Sequence, residues 1–531
     1  MNTRYASRSQ LMVYVPWAIL SVVLVHTLLR FSADPIYTHP ADASPVVKSI
    51  VSSFASFPKA HSLSLPSRRI PTLSRKKQQA LTTIPSIPPW VDQILVPETG
   101  KTGEIASNGE CMIGSFGWEE CGINDRFCAA YGEDAIARSR IYTGQTKRLR
   151  RVMRKAARGE PITMGILGGS VTCGQTLNEK HHRNYKYQLA EWWEYAFPDS
   201  NLTFIDGSVA AQGSAFFSVC FGAYIPHDVD IIFVESAIND QYMEKDAKGM
   251  ESLMRGLMIL PQQPAIIFLQ TFGLMFDKIA TGGSLHIDVA AYYDHPVLSS
   301  RQIILPKILD DPESVGDYFG PFGDGTVDLR HYGYGGHMVM ADITIQFLSS
   351  VFCKVQHDRF LHGIEPETPL VQPPADIPRL RLMEPYDPKH IVPIYAPTCN
   401  STTSKFRPIT PSSPTAWSTV VINRKTFLAG NNPGDEVRFK INLLAAATIQ
   451  INHLRSSTYN LGTATCYLEA YGPESAVTLD GYWSQKISVG DLATIKENAE
   501  VGEHEIICRV GEVTNSPSGG HKFLIVSIQS F

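Results

Sequence analysis

The chemistry-bearing part of this chain starts at a serine flanked by glycines, where a short apolar run ends. The run is Ile162–Leu167 in ITMGILGGSVTCG, and Ser170 follows Gly168 and Gly169. An apolar run of that length suits a buried strand. The glycines suit a tight turn that leaves the hydroxyl at the sheet's carboxyl end, where open α/β sheets place ligands. Gly-Gly-Ser is also an ordinary turn, so the weight falls on its partners. A serine hydroxyl is barely ionised at neutral pH and needs a base. In DLRHYGYGGHMVMADI, Asp328 stands three residues before His331. A carboxylate so placed can hold the imidazole Nδ1–H and leave Nε2 facing the nucleophile. By itself the pair reads far more readily as an aspartate cap and a surface histidine, ahead of a helical period beginning near Gly336.

Acyl transfer also needs donors for the oxyanion. The run VDIIFV (Val229–Val234) leads into Glu235-Ser-Ala-Ile-Asn239-Asp240, which puts the Asn239 amide in the loop at a strand's carboxyl end. Thr203–Asp206 leads into GSVAAQGS, which offers a permissive backbone amide at Gly213. Both follow successive strands on the rim that carries Ser170. Nearby groups fit other roles. His295, in YYDHPVL, lacks the spacing and the following helix, so it is read as structural. Glu235 and Asp240 are read as hydrogen-bond partners of the loop. Cys173 is read as a small buried residue. A glycosidase would need two carboxylates facing the scissile bond, and only Asp328 is clearly nominated.

The order Ser, Gly, Asn, Asp-x-x-His resembles the four sequence blocks of the SGNH (GDSL-like) hydrolases over roughly Ile162–Phe352. The matching stretches are GGSVTCG, Gly213, AIND and DLRHYGYGGH. The resemblance implies Ser170 as nucleophile and oxyanion amide, Gly213 as a second amide, Asn239 as side-chain donor, His331 as base and Asp328 as its orienter. It implies no metal and no organic cofactor. Gly169 stands where many members carry Asp, Ala237 where they carry Gly, and Tyr332 where Pro often follows the histidine. These departures mark a divergent branch. The overall organisation resembles fungal or algal capsule-associated and glycan-related members.

Four apolar runs recur between 111 and 362: Ile162–Leu167, Thr203–Asp206, Val229–Val234 and Ala265–Leu269. They suit strands buried on both faces. Helical periods lie between them, with Tyr185, Leu189 and Trp193 in one and Met250, Leu253, Met254 and Leu257 in another. Alternating strand and helix imply a doubly wound α/β domain over 110–362, on a parallel sheet. The proline-rich stretch 363–415 reads as a linker. From 416 to 531 the period becomes two: Val437, Phe439 and Ile441; Cys466, Leu468 and Ala470; Ile506, Cys508 and Val510. Short alternating strands of this kind imply an antiparallel β-sandwich. Cys466 and Cys508, both inward-facing, are expected to pair, with Cys399 a competing partner for either.

At 531 residues the chain has material for two domains or more. A net charge of −4 gives no electrostatic reason to expect nucleic acid. The one dense basic run, Lys147–Lys155, reads as the solvated face of a helix. Leu11–Leu29 contains no Asp, Glu, Lys or Arg, and its length approaches the ~20 residues a bilayer requires. Arg4 and Arg8 precede it and Arg30 alone follows closely, so the expected topology is a cytosolic tail (1–10), a transmembrane signal anchor (11–30) and a luminal remainder. A cleaved signal peptide is the alternative. The Ser- and Pro-rich stretch 31–109 reads as a disordered stem. Nine cysteines suit an oxidising compartment, and the sequons at Asn201 and Asn400 offer glycosylation sites. The expectation is therefore a type II membrane protein of the Golgi or cell surface. It would use Ser170 to remove acyl groups, acetyl above all, from a glycan or glycoconjugate. An acyltransferase with the same residues is the close alternative, and a non-catalytic glycan-binding protein on a hydrolase scaffold the distant one.

Overall fold

The structure is a computed structural model that describes residues 111–531 apart from 115, 178–182, 364–368, 372–373, 390–396, 423–424, 444–445 and 486. The tail, anchor and stem expected over 1–109 lie outside the described residues.

The first half is an α/β domain. In chain order it contains β1 (Arg140–Tyr142), α1 (Lys147–Ala157), β2 (Ile162–Gly168), α2 (Tyr185–Ala196), β3 (Leu202–Asp206), α3 (Ser214–Tyr224), β4 (Ile231–Glu235), α4 (Glu244–Met258), β5 (Ala265–Gln270), α5 (Gly282–Tyr292) and β6 (Val297–Ser299). The strands form one sheet in the order β1-β6-β5-β4-β2-β3. All neighbours run parallel except β1, which lies antiparallel on β6. A hairpin of β7 (Phe319–Pro321) and β8 (Val327–Tyr332) follows, then the long helix α6 (Tyr334–His362).

The unalternating apolar runs of β4 and β5 are fully buried because helices cover both faces. On one face Met164, Ile166, Phe233 and Ile267 meet Leu189, Trp193, Phe347 and Leu348. On the other, Leu167, Ile232, Val234 and Phe268 meet Phe217, Leu253 and Leu257. Thr203–Asp206 departs from the expected two-sided burial. As an edge strand with one neighbour, β3 leaves Thr203 and Asp206 exposed. Among the described residues α6 alone is long and apolar enough to cross a membrane, but 89% of its most apolar stretch is buried in this core.

The second half contains β9 (Thr398–Ser401), β10 (Ser418–Ile422), β11 (Lys425–Gly430), β12 (Glu436–Leu443), β13 (Ala447–Arg455), β14 (Thr463–Leu468), β15 (Val477–Asp480), β16 (Val489–Ala499), β17 (Gly502–Val510) and β18 (Phe523–Ser530). They form two antiparallel sheets. The outer sheet runs β12-β17-β14-β15 and the inner one β10-β11-β18-β13-β16, with β9 also paired to β18. Val437, Phe439, Cys466, Ile506 and Cys508 of the outer sheet face Phe523, Ile525 and Ile528 of the inner one. Ala470 is an exception to the expected alternation, since β14 ends at Leu468 and Ala470 is exposed. Cys466 and Cys508 sit opposite each other on adjacent strands and form a disulfide. Cys399 bonds instead to Cys220 of α3, and Cys121 to Cys128.

Two expectations need correction. The 363–415 stretch is not a plain linker, because β9 lies within it and belongs to the sandwich. Ahead of β9 the chain is tied to the α/β domain. Glu251 accepts from the Leu382 and Met383 N–H groups, and Arg255 donates to the Pro378 carbonyl at 2.8 Å. Nor is the basic run a solvated face. Arg148 is buried and grips Asp376 with two nitrogens at 2.7 and 3.0 Å. Arg151 donates to the Gln262 and Gln263 carbonyls, and Lys155 pairs with Asp230 at 2.8 Å. Its cations hold neighbouring segments in place.

The two halves share apolar surface. Leu524 and Val526 of β18, with Phe427 and Leu454, pack into the same cluster as Phe217 and Tyr224 of α3. Every residue of β18 is buried, because one face fills the sandwich and the other covers α3. The Tyr224 hydroxyl meets Thr403 at 2.7 Å, and Asn452 Nδ2 donates to Gln212 at 2.8 Å.

Candidate active site

β2 and β4 are neighbours, and the chain leaves them for opposite sides of the sheet: β3 lies beyond β2, β5 beyond β4. That reversal opens a crevice at the carboxyl ends of the strands. Ser170 comes off β2 and Asn239 off β4, at that crevice. His331 reaches it from β8.

The structure brings Ser170, His331 and Asp328 together. Ser170 Oγ lies 2.8 Å from His331 Nε2, and His331 Nδ1 lies 2.6 Å from Asp328 Oδ2. In the tautomer that carries Nδ1–H, the imidazole donates to Asp328 and accepts from Ser170. Asp328 is not a helix cap. It sits within β8, and its Oδ1 accepts the Arg330 and His331 backbone N–H groups at 2.9 and 3.3 Å. Burial works against this carboxylate. The bond and charge of His331, with the two N–H donors, outweigh it and hold its pKa below the ordinary value.

Neither the Ser170 nor the Gly213 N–H has a hydrogen-bond acceptor among the described residues. Gly213 stands directly before α3, where the helix N-terminus favours negative charge. A Cβ on Gly213 would lie 2.0 Å from Asp240 Oδ1. Asp240 accepts from the Ser214 N–H at 2.9 Å, so it fixes the turn that aims the Gly213 amide. The Asn239 side chain lies directly over Gly169, where a Cβ would come within 2.0 Å of Oδ1. An aspartate at 169, as in many SGNH members, would collide with Asn239 in this arrangement.

Three supports surround the relay; the sequence nominated the first, Glu235, as a hydrogen-bond partner of its loop and missed the other two. Glu235, fully buried at the end of β4, accepts from Thr172 Oγ1 at 2.8 Å and Thr271 Oγ1 at 2.7 Å. Burial raises its pKa, and those hydroxyl bonds moderate the rise. Its position braces the turn carrying Ser170. Tyr332 is buried, and its hydroxyl bonds Ser300 and the Phe272 N–H. Its carbonyl accepts Thr176 Oγ1 at 2.6 Å, which ties the His331 strand to the serine turn. A buried aromatic immediately after the histidine was the available signal. The third is the sandwich itself. β11 and the Thr403 loop form one wall of a cleft of about 750 Å³ beside the serine turn.

The remaining candidates lie elsewhere or differ in detail. His295 is buried beside Arg148 and Asp376, and burial pushes its pKa down to about 3. Cys173 is half-buried, not buried, and it lines the cleft with its Sγ 3.4 Å from Ser208 Oγ. Asn201 and Asn400 are both exposed.

No family model and no curated protein matches this sequence. Solved structures do. A two-domain esterase active on acetylated mannans superposes with a TM-score of 0.54 at 20% identity, covering 74% of this chain and 97% of its own. Its complex crystallised with mannopentaose gives 0.53 at 19% identity over the same shares. An acetylxylan esterase from Geobacillus stearothermophilus aligns over 35% of this chain and 94% of its own, with 16% identity and a TM-score of 0.27. This chain has the fold of the mannan-active enzyme: a parallel-sheet α/β domain joined to an antiparallel β domain.

Proposed function

We propose that this chain is a serine carbohydrate esterase of SGNH type, which removes acyl groups, acetyl above all, from a glycan or glycoconjugate. The observation that carries the reading is the continuous relay from Asp328 through His331 to Ser170, at 2.6 and 2.8 Å. Ser170 Oγ attacks the ester carbonyl while His331 Nε2 takes its proton, and Asp328 steadies the imidazolium. The oxyanion receives the Ser170 and Gly213 N–H groups and the Asn239 amide. His331 then returns the proton to the departing sugar hydroxyl, and water repeats the sequence on the acyl-enzyme. The fold shared with an esterase active on acetylated mannans supports the glycan part of the reading.

The test is labelling by a fluorophosphonate probe, followed by acetate release from acetylated oligosaccharides with and without an acceptor sugar. Labelling at Ser170 and acetate release are the expected results. Transfer of acetyl to the acceptor in place of release would make the chain an acyltransferase. A folded protein that the probe leaves untouched would overturn the reading.

The proposed address is the secretory lumen, with the 11–30 segment as anchor. Three disulfides and two exposed sequon asparagines support it. Glycan on Asn201 or Asn400 and retention in carbonate-washed membranes are expected. Release with a new N-terminus near residue 35 would mean a cleaved signal.

A further inference from the structure

The segment that precedes the α/β sheet lies along one face of α6. Gln346, Ser350 and Cys353 of that helix follow i, i+4, i+7 and share the face. Gln346 Nε2 donates to Asp125 at 3.3 Å, and Ser350 Oγ to Glu120 at 2.8 Å. Just past Cys353 the Gln356 amide takes both backbone bonds of Met112. It accepts the Met112 N–H at 2.8 Å and donates to the Met112 carbonyl at 2.5 Å. The segment therefore runs antiparallel to the helix, and Cys111, next to Met112, falls beside Cys353. Both cysteines are buried in the same apolar cluster, and their side chains are hydrogen-bonded to each other.

Three cysteines lie outside the disulfides of this fold: Cys111, Cys173 and Cys353. Cys173 stands in the cleft beside the serine turn, against Ser208, so Cys353 is the cysteine that Cys111 meets. The bond from Cys111 holds the Cys353 pKa below its ordinary value, against burial and the charges of Glu120 and Glu119. A thiol held low supplies thiolate, the form that attacks a disulfide. Two packed thiols would serve a core equally well in a reducing compartment. An oxidising one joins thiols that folding brings into contact.

We infer that Cys111 and Cys353 form a fourth disulfide, closed in the secretory lumen by a disulfide-bearing oxidant. This rests on the proposed luminal address and is independent of the esterase reading. The Cys353 thiolate attacks one sulfur of the oxidant and expels the other as a thiolate. The Cys111 thiolate then attacks the Cys353 sulfur of the mixed disulfide and expels the second. Two protein thiols lose two protons and two electrons, and the oxidant's disulfide becomes two thiols. The closed ring spans about 240 residues and takes in Ser170, Asp328 and His331. It also fixes the point where residues 1–110 join the domain. A pull on them would then reach the core helix directly and not peel Cys111–Asp125 from it.

The test uses the full chain expressed through the secretory pathway, with thiols blocked by N-ethylmaleimide in denaturant before digestion. Intact mass is expected to show one maleimide per chain, at Cys173, out of the three cysteines outside the known bonds. Mapping without reductant should recover the Cys111 peptide joined to the Cys353 peptide. Maleimide on both, or either one joined to a different cysteine, overturns the inference. If Cys220, Cys399, Cys466 and Cys508 are also alkylated, the luminal address has failed with it. If their bonds are intact, this inference alone has failed. Melting supplies a second readout. Cys111→Ala should lower the Tm by about 5–10 °C, and adding Cys353→Ala should lower it little further, because either change opens the same ring. Losses that simply add would mean thiols that pack without bonding, and would overturn the inference as well.

Discussion

The two sheet systems bury their strands for different reasons, and the difference decides where chemistry can sit. In the α/β domain helices cover both faces of β4 and β5, so only the carboxyl-end loops are free to hold Ser170 and Asn239. In the sandwich the outer sheet keeps one face wet. There Val437 and Phe439 alternate with Arg438 and Lys440, and the cations pair with Glu503 and Glu505 across the strands. The inner strand β18 is buried throughout, as a parallel strand would be, because it faces α3. Alternation therefore reports one wet face and not a fold class. Its loss in FLIVSIQS marks a docked face. The α/β half also buries charge, at Glu235, Asp240 and Glu251, while the sandwich keeps its ion pairs near the surface.

The sharpest test of this division is removal of the proposed nucleophile. Ser170→Ala is expected to lower ester hydrolysis by on the order of 10⁴–10⁶ with an unchanged fold, and His331→Ala by nearly as much. His295→Ala should stay within about tenfold, as a residue outside the relay. A dead His295→Ala beside an active His331→Ala would move the base to the other histidine. Kinetics on a small acetate ester, with circular dichroism as the fold control, decide it.

The proposed oxyanion donors come next. Asn239→Ala should lower turnover by roughly 10²–10³ with little change in KM. Gly169→Ala should cost a similar factor, because its Cβ must displace an amide whose Oδ1 is 2.0 Å away. A loss in KM alone for Asn239→Ala would make it a ground-state contact.

The relay was legible because its members lie in short blocks at strand ends, where turn chemistry and spacing coincide. The positions of Gly213 and Asn239 at the rim of the serine turn were legible for the same reason. Lys425 was not. It is an ordinary lysine in a strand, and its place in the cleft wall comes from a domain contact about 250 residues away in sequence from the serine turn. Tyr332 escaped similarly, as its partners Ser300 and Thr176 belong to other loops, and Glu235 was read as a hydrogen-bond partner without its partners Thr172 and Thr271. The proline-rich stretch read as a linker because proline excludes helix and sheet. Nothing local announces that Arg148, Glu251 and Arg255 will hold it. β6, three residues long, is too short to show a period.

Disulfide removal compares the two halves directly. Cys220→Ala with Cys399→Ala opens a span of 179 residues between domains, whereas Cys466→Ala with Cys508→Ala opens 42 within the sandwich. The first pair should cost about 2–4 kcal/mol and the second somewhat less, following loop length. Thermal melts of the two double variants provide the check. Equal losses would mean that the shared cluster around α3 and β18, and not the covalent link, holds the domains.

The smallest expected effect concerns pH, and it should have opposite signs in the two halves. Asp342 on α6 is buried and accepts the Tyr131 hydroxyl at 2.6 Å. Burial pushes its pKa up to about 6, against the bond from Tyr131 and the charge of Arg126. Between pH 4 and 6 the folded chain holds a proton there that the unfolded chain has released. Asp342 therefore contributes stability below pH 4 that is lost as pH rises through 6. In the sandwich Glu436 is held below its ordinary pKa by the bond from Arg509, with Arg438 adding to it and burial opposing. Its contribution is present above pH 4.5 and disappears as pH falls through the lowered value. Because Glu436 and Arg509 are substantially exposed, that term is small and screened by salt. Asp342→Asn keeps an acceptor for Tyr131 and removes the titration. Relative to the unmutated chain, the variant should gain roughly 2–3 kcal/mol between pH 4 and 7.5, the size of a two-unit shift. Glu436→Gln should lose a little above pH 5 and nothing at pH 3. Urea midpoints at pH 3, 5 and 7.5 measure both. A flat difference for Asp342→Asn would mean that water reaches Asp342 and that its burial is incomplete in solution.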